Sequence, residues 1–125
     1  MAKASAPSNI SKDVALIYVP DIIGIWQNSK LMADAFAAYG FTCIVLDLFN
    51  HDPAPLNPPD GFDIMAWLAK GSSGDNPHTL ETIDPVIIEG IEYLRSLGYK
   101  KIGAVGYCLG AKVSFSYTIL NSESR

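Results

Sequence analysis

Near its C-terminal end the chain reads Gly106-Tyr107-Cys108-Leu109-Gly110, directly after the apolar run IGAV. Cysteine is the most nucleophilic of the side chains that form covalent intermediates. A glycine two places before it and another two places after it leave room for a very tight strand-to-helix turn. In such a turn the cysteine takes a strained backbone conformation that lifts its sulfur above a sheet. A following helix N-terminus favours thiolate over thiol, and the Leu109 N–H faces an oxyanion forming on a bound ester. The competing reading of Cys108 is a small buried hydrophobe at a strand end. A phosphate-binding turn fits less well, because the glycine spacing is G-x-x-G-x-x-x-G and no acidic residue ends a later strand. The second cysteine, Cys43, stands between Thr42 and Ile44 with no glycine or base beside it and reads as core.

A turn of this kind needs a buried parallel strand beneath it and a helix beyond it. Three short apolar, β-branched-rich runs supply strands: VALIYV at 14–19, FTCIVLDLF at 41–49 and KKIGAVGY at 100–107. Between the first two, Asn28 is placed to cap a helix through Tyr39, with Leu31, Met32, Ala35, Phe36 and Tyr39 on one face and Gly40 as its stop. Between the second and third, the stretch from Asn50 to Gly61 carries four prolines and is read as an irregular loop. FDIMAWLAK gives a turn or two of helix, and GSSGDNPH an exposed loop. Asp84 and Pro85 then open a helix whose apolar face is Val86, Ile87, Gly90, Ile91, Leu94 and Leu97. The residues after Leu109 continue as a third helix. Strand and helix alternate throughout, which indicates an α/β architecture of parallel β-α-β units with right-handed crossovers. The organisation expected is a loose segment over residues 1–13 followed by one α/β domain over 14–125.

With 125 residues, 49% of them hydrophobic, the chain is long enough to bury one core. Its formal charge of −4, with no block of lysine or arginine, lacks the footprint of nucleic-acid or anionic-membrane binding and points to a small-molecule partner. Two cysteines without C-x-x-C spacing give neither a disulfide framework nor a metal site, so a reducing, cytoplasmic setting is expected. No apolar run approaches the roughly 20 residues that span a bilayer, and no leader-type segment opens the chain.

GYCLGAK, with PDIIGI after the first strand and NSKLMADAFAAYGFTCIVLDLF, resembles the dienelactone hydrolase family of α/β-hydrolases, in particular its fungal branch. The resemblance runs over roughly Val14 to Lys112. It implies hydrolysis of enol-lactones or related carboxylic esters by a Cys-His-Asp triad without a cofactor. By that resemblance Cys108 is the nucleophile, Leu109 and Ile22 supply the oxyanion-hole amides, and Asp21 stands where bacterial members carry a glutamate that interacts with the resting thiol. The competing reading of Asp21 is a loop aspartate that caps local backbone.

Two features depart from the family pattern. Only 17 residues follow Cys108, and they contain neither the histidine nor the aspartate that come after the nucleophile in α/β-hydrolases. His51 and His78 both precede it and read as solvated loop histidines. His51 with Asp47 and Asp52 forms a loose cluster that lacks the further nitrogen or sulfur ligand a metal site needs. The tail from Val113 onward does not continue the family pattern. Val-Ser is encodable by GTGAGT, a splice-donor sequence, so this tail is read as translation of a retained intron in an incomplete family member. A short chain of this kind is expected to hold three parallel strands, the first in the centre, with two open sheet edges prone to self-association. Its hydrolysis is expected to be weak. A non-catalytic binding module on the same fold is the competing reading. Trp26, Trp67 and Tyr107 are candidates to line an acyl pocket or, as aromatics more often do, to fill the core.

Overall fold

The computed structural model describes residues 10–108. The helix expected after Leu109, and Leu109 and Gly110 themselves, lie outside the described residues. Six elements follow in order: β1 (Val14–Val19), α1 (Gln27–Ala38), β2 (Thr42–Val45), α2 (Ile64–Lys70), α3 (Leu80–Ser96) and β3 (Lys101–Gly106).

The three strands form one parallel sheet in the order β2-β1-β3. β1 is therefore the central strand, as the apolar pattern of VALIYV requires of a segment covered on both faces. Its alternation divides the molecule. Ala15, Ile17 and Val19 join Leu46, Leu48, Phe49, Trp67, Ile83, Ile87 and Leu94 in the main core, beneath α2 and α3. Leu16 and Tyr18 face the other way, where Ser29 of α1 lies beside the Tyr18 hydroxyl. β1 and β3 run in register from Val14 opposite Lys101 to Val19 opposite Gly106. Gly103 lets the Leu16 side chain pack closely over β3: a Cβ at this position would stand 2.9 Å from Leu16 Cδ2, which would have to shift.

β2 is shorter than the apolar run implied. Pairing covers Thr42–Val45, and beyond it Leu46, Leu48 and Phe49 plug the core, with Phe49 fully buried. α1 begins two residues earlier than expected: Trp26 is its N-cap, and no side chain caps it. Asn28 is displaced from that role because Ser29, buried in the first turn, bonds back to Gly24 O at 2.8 Å and draws the helix start into the preceding loop. Leu31 and Tyr39 of its anticipated apolar face are 57% and 80% exposed, so periodicity overstated what this helix buries.

α3 starts at Leu80, not at Asp84. Thr79 is the N-cap, and its own N–H donates to Thr82 Oγ1 at 3.1 Å, which fixes the helix entry five residues before the expected cap at Asp84. Pro85 accordingly sits inside the helix on its exposed side, where the carbonyl it leaves unpaired meets water. Ile83, Ile87, Gly90 and Leu94 form the buried stripe. α2 is capped by Asp63, whose Oδ1 accepts from Met65 N and Ala66 N. Upstream of β1, Ser11 donates to Gly40 O and Asp13 O accepts from Lys100 and Lys101, so residues 11–13 are tied to the sheet. No helix among the described residues is long and apolar enough to cross a membrane.

Candidate functional site

Cys108 lies two residues beyond the end of β3, exposed, with φ of 56°. Left-handed backbone is disfavoured for any residue with a Cβ, and such strain persists only where surrounding structure enforces it. Among the described residues only Asn50, His51 and Cys108 are non-glycine positions of this kind, and all three follow the C-terminal ends of strands. The thiol therefore stands in solvent at a bend. Tyr107, 47% exposed, sets its ring 5.9 Å from Tyr18 instead of joining the core.

The loop after β1 faces the same end of the sheet. The Asp21 carbonyl accepts from Gly24 N at 2.9 Å, a turn that Gly24 closes with φ of +74°. Asp21 Oδ1 accepts from Ile23 N at 3.0 Å, so its carboxylate caps local backbone. The Ile22 carbonyl accepts from Ala54 N at 2.8 Å. Both peptide groups flanking Ile22 are thus held, while the Ile22 N–H has no acceptor among the described residues. Because Val19 is paired with Gly106, Ile22 and Cys108 follow adjacent strand ends by three and two residues. The Ile22 side chain is half-buried against the main core, which fixes the loop from below.

Beside this loop, burial pushes the Tyr18 phenol above its ordinary pKa, with further upward pushes from Tyr107, Asp21 and Cys43 against a downward effect of the neighbouring Ser29 hydroxyl. Burial likewise pushes the Cys43 thiol up, in keeping with a partly buried thiol of the outer strand β2. Trp67 belongs to the core and not to an acyl pocket. Trp26 is partly exposed, yet its indole Nε1 is buried without an acceptor among the described residues.

The histidines differ from the sequence expectation. His51 is indeed in solvent, its side chain 91% exposed and its Nδ1 3.2 Å from Asp47 Oδ2. His78 is not: it is 3% exposed, with Nε2 2.9 Å from Asp52 Oδ2. Its ring packs edge-on to Phe49 at 5.2 Å and against Trp67 at 4.5 Å. Asp52 also accepts from Ser72 N at 2.8 Å. Partial burial raises the Asp52 carboxyl, but the hydrogen bonds from Ser72 and His78 and the His78 charge outweigh it, and the net shift is below the ordinary carboxylate value. The loose cluster of His51, Asp47 and Asp52 is therefore split, since Asp52 turns to His78. Sequence inspection had no signal for this pair, because 26 residues and no periodic pattern separate its members. No group of three or more histidine, cysteine, aspartate or glutamate side chains among the described residues is placed to hold a metal ion. A cleft of about 400 Å³ opens beyond β2, lined by Asp47, Asn50, Asn76 and Thr82 among others.

A parallel sheet in the order β2-β1-β3, its helices on both faces and a left-handed cysteine just past its third strand, belongs to the α/β-hydrolase class. A sequence model of the dienelactone hydrolase family matches residues 2–124, and the chain belongs to that family. It is 37% identical over 115 residues to hydrolase pyvD of Aspergillus violaceofuscus, an alignment covering 90% of this chain and 44% of that protein. It is 39% identical over 112 residues to hydrolase tropI of Talaromyces stipitatus, covering 86% and 44%. The carboxymethylenebutenolidase homolog of Mus musculus is 34% identical over 110 residues, covering 85% of this chain and 41% of its own. The chain thus spans less than half the length of these relatives. No solved structure matches it.

Proposed function

We propose that this chain carries the nucleophile and oxyanion-binding part of a dienelactone hydrolase-like carboxylic ester hydrolase. The observation that supports it most directly is the pairing of an exposed, left-handed Cys108 with an unengaged Ile22 N–H across two register-matched strand ends. In this reading the Cys108 sulfur attacks the carbonyl carbon of an ester or lactone. The carbonyl π pair moves onto oxygen, where the Ile22 and Leu109 N–H groups receive it. Collapse of that intermediate re-forms the carbonyl and expels the alkoxide, which takes from solvent the proton the thiol gave up to it, leaving a thioester on Cys108. Water attack on the thioester would return the thiol and release the acid. No cofactor enters these steps. Asp21, whose carboxylate already caps Ile23, has the secondary role of a negative charge near the resting thiol.

Neither histidine hydrogen-bonds Cys108 among the described residues. His78 is engaged by Asp52, and His51 follows β2, on the opposite side of β1 from β3. Acylation is therefore expected to outrun deacylation, and turnover by this chain to be weak. The same observation favours the second reading, a non-catalytic binding module. A p-nitrophenyl acetate assay with wild type and Cys108→Ala separates them. A burst approaching one acyl group per chain, absent in Cys108→Ala, supports the enzyme, and identical background in both proteins supports the module.

The partners in this reading are a small ester or lactone and a second copy of this chain. No strand among the described residues covers the outer edge of β2 or of β3, and both carry apolar, β-prone sequence that can pair edge to edge. Membrane and nucleic acid are not partners in it, and its setting is cytoplasmic.

A further inference from the structure

We propose that the buried His78–Asp52 pair is a positioning device for the Ile22 amide, acting through Ala54; this rests on the reading of Ile22 as an oxyanion donor. The link is continuous. The protonated Nε2 of His78 donates to Asp52 Oδ2 at 2.9 Å, since a carboxylate oxygen only accepts. Asp52 is held on every side: Ser72 N donates to the same oxygen at 2.8 Å, Trp67 Nε1 donates to its carbonyl at 3.2 Å, and its own N–H donates to Phe49 O at 3.0 Å. Pro53 follows with a fixed φ, so the orientation of Asp52 carries into Ala54 with little freedom. Ala54, 3% exposed, then donates its N–H to the Ile22 carbonyl at 2.8 Å. The two loops also touch sterically, because a Cβ on Gly24 would lie 3.2 Å from Pro53 Cβ.

His78 is fastened from its own side as well. Its backbone N–H donates to Leu68 O at 2.8 Å, and its ring is wedged between Phe49 and Trp67. An imidazole in such aromatic surroundings needs its hydrogen bond, whereas an apolar side chain of similar shape would fill the space without one. What the imidazole adds is direction. It fixes Asp52, and hence the proline loop, at one height against the loop after β1. An oxyanion donor is sensitive to such placement: an error near 1 Å can cost on the order of a hundredfold in rate.

The test compares two reactions of Cys108 in the full chain. Acylation by p-nitrophenyl acetate builds an oxyanion, and alkylation by iodoacetamide does not, so their rate ratio reads the oxyanion donors separately from thiol reactivity. His78→Phe keeps the ring packing and removes the bond to Asp52. It is expected to lower the ratio at least about tenfold while leaving alkylation unchanged. Asp52→Asn, which keeps an oxygen acceptor, is expected to stay within about threefold of wild type. Ile87→Val, a core change beneath α3, is the control for general loosening and leaves the ratio unaltered. Amide exchange by NMR gives a readout independent of activity: His78→Phe speeds exchange of the Ala54 N–H at least about tenfold, and Ile87→Val does not. An unchanged ratio with unchanged Ala54 exchange overturns the proposal, as does a parallel fall in acylation and alkylation. If wild type shows no Cys108-dependent acylation, the enzymatic reading fails, and Ala54 exchange still decides whether the pair positions this loop.

Discussion

Val19 and Gly106 are partners at the last rung of the parallel β1–β3 ladder, and the two backbone features with a chemical use both follow from that rung. Ile22 comes three residues after the first, and Cys108 two residues after the second. A shift of register by one residue would carry Cys108 past the loop that presents the Ile22 N–H.

Replacement of Cys108 by serine tests whether the bend or the sulfur carries reactivity. A hydroxyl without a hydrogen-bonded base is a far weaker nucleophile than a thiol. Cys108→Ser is therefore expected to lose the acylation burst by at least about a hundredfold while its far-UV circular dichroism and thermal midpoint stay close to wild type, because the side chain is exposed.

Trp67 joins α2 to the proline loop through both its ring and its indole N–H. Trp67→Ala removes a side chain 2% exposed, its 5.0 Å contact with Phe49 and the bond to the Asp52 carbonyl. The expected loss is about 3–5 kcal/mol, comparable to the whole stability of a small domain. Urea denaturation followed by fluorescence and circular dichroism should show little or no folded baseline.

Gly71 ends α2 with φ of +71°, and a Cβ there would collide with the Asn76 backbone carbonyl and stand 2.9 Å from Asp52 Oδ2. Backbone cannot swing aside as a flexible side chain can. Gly71→Ala is expected to destabilise by at least about 2 kcal/mol, read as a lower urea midpoint. Gly74→Ala, at an exposed turn with open space around it, should cost less, since only its φ of +91° is strained.

The acid side of the stability curve should carry the signature of Asp52. Its folded pKa lies below the ordinary value of 3.8, so the unfolded chain binds a proton first as pH falls. Its contribution is complete above about pH 5, begins to fade as pH drops past 3.8, and is gone below the folded pKa. Asp52→Asn removes that dependence. Urea midpoints measured from pH 6 to pH 3 should therefore fall less steeply in the variant than in wild type.

No strand among the described residues covers either outer edge of the sheet, and the proposed self-association predicts a concentration-dependent assembly. Ala104, exposed in β3, is a position where a charge meets solvent in the monomer and an approaching strand in an assembly. Ala104→Lys is expected to shift sedimentation-velocity profiles toward monomer. A single sharp monomer for wild type at high concentration would remove the self-association reading.

Much of the scaffold was readable from residue types alone. VALIYV could only be an inner strand, because its side chains are apolar on both faces, and the third strand, read over 100–107, pairs over Lys101–Gly106, one residue shorter at each end. The glycine spacing around Cys108 likewise announced a tight bend, and the left-handed backbone of Cys108 agrees with it. Helix starts were less legible. Asp84-Pro85 matches the chemistry of a cap, yet the bond from Thr79 N–H to Thr82 Oγ1 secures an earlier start. α1 shows a helical repeat of apolar residues of which Leu31 and Tyr39 stay exposed among the described residues.

What the tertiary structure decided is the fate of the polar groups between elements. His78 and His51 are indistinguishable as isolated loop histidines, and only folding places one between two aromatic rings with a carboxylate at hydrogen-bond distance while the other stays in water. The bond from Ala54 to Ile22 likewise belongs to neither segment's local pattern. Local sequence dictates backbone preference and burial periodicity, because these depend on a few adjacent residues. Pairing between loops 26 or more residues apart depends on where the strands have carried them, and that is settled only once the sheet has assembled.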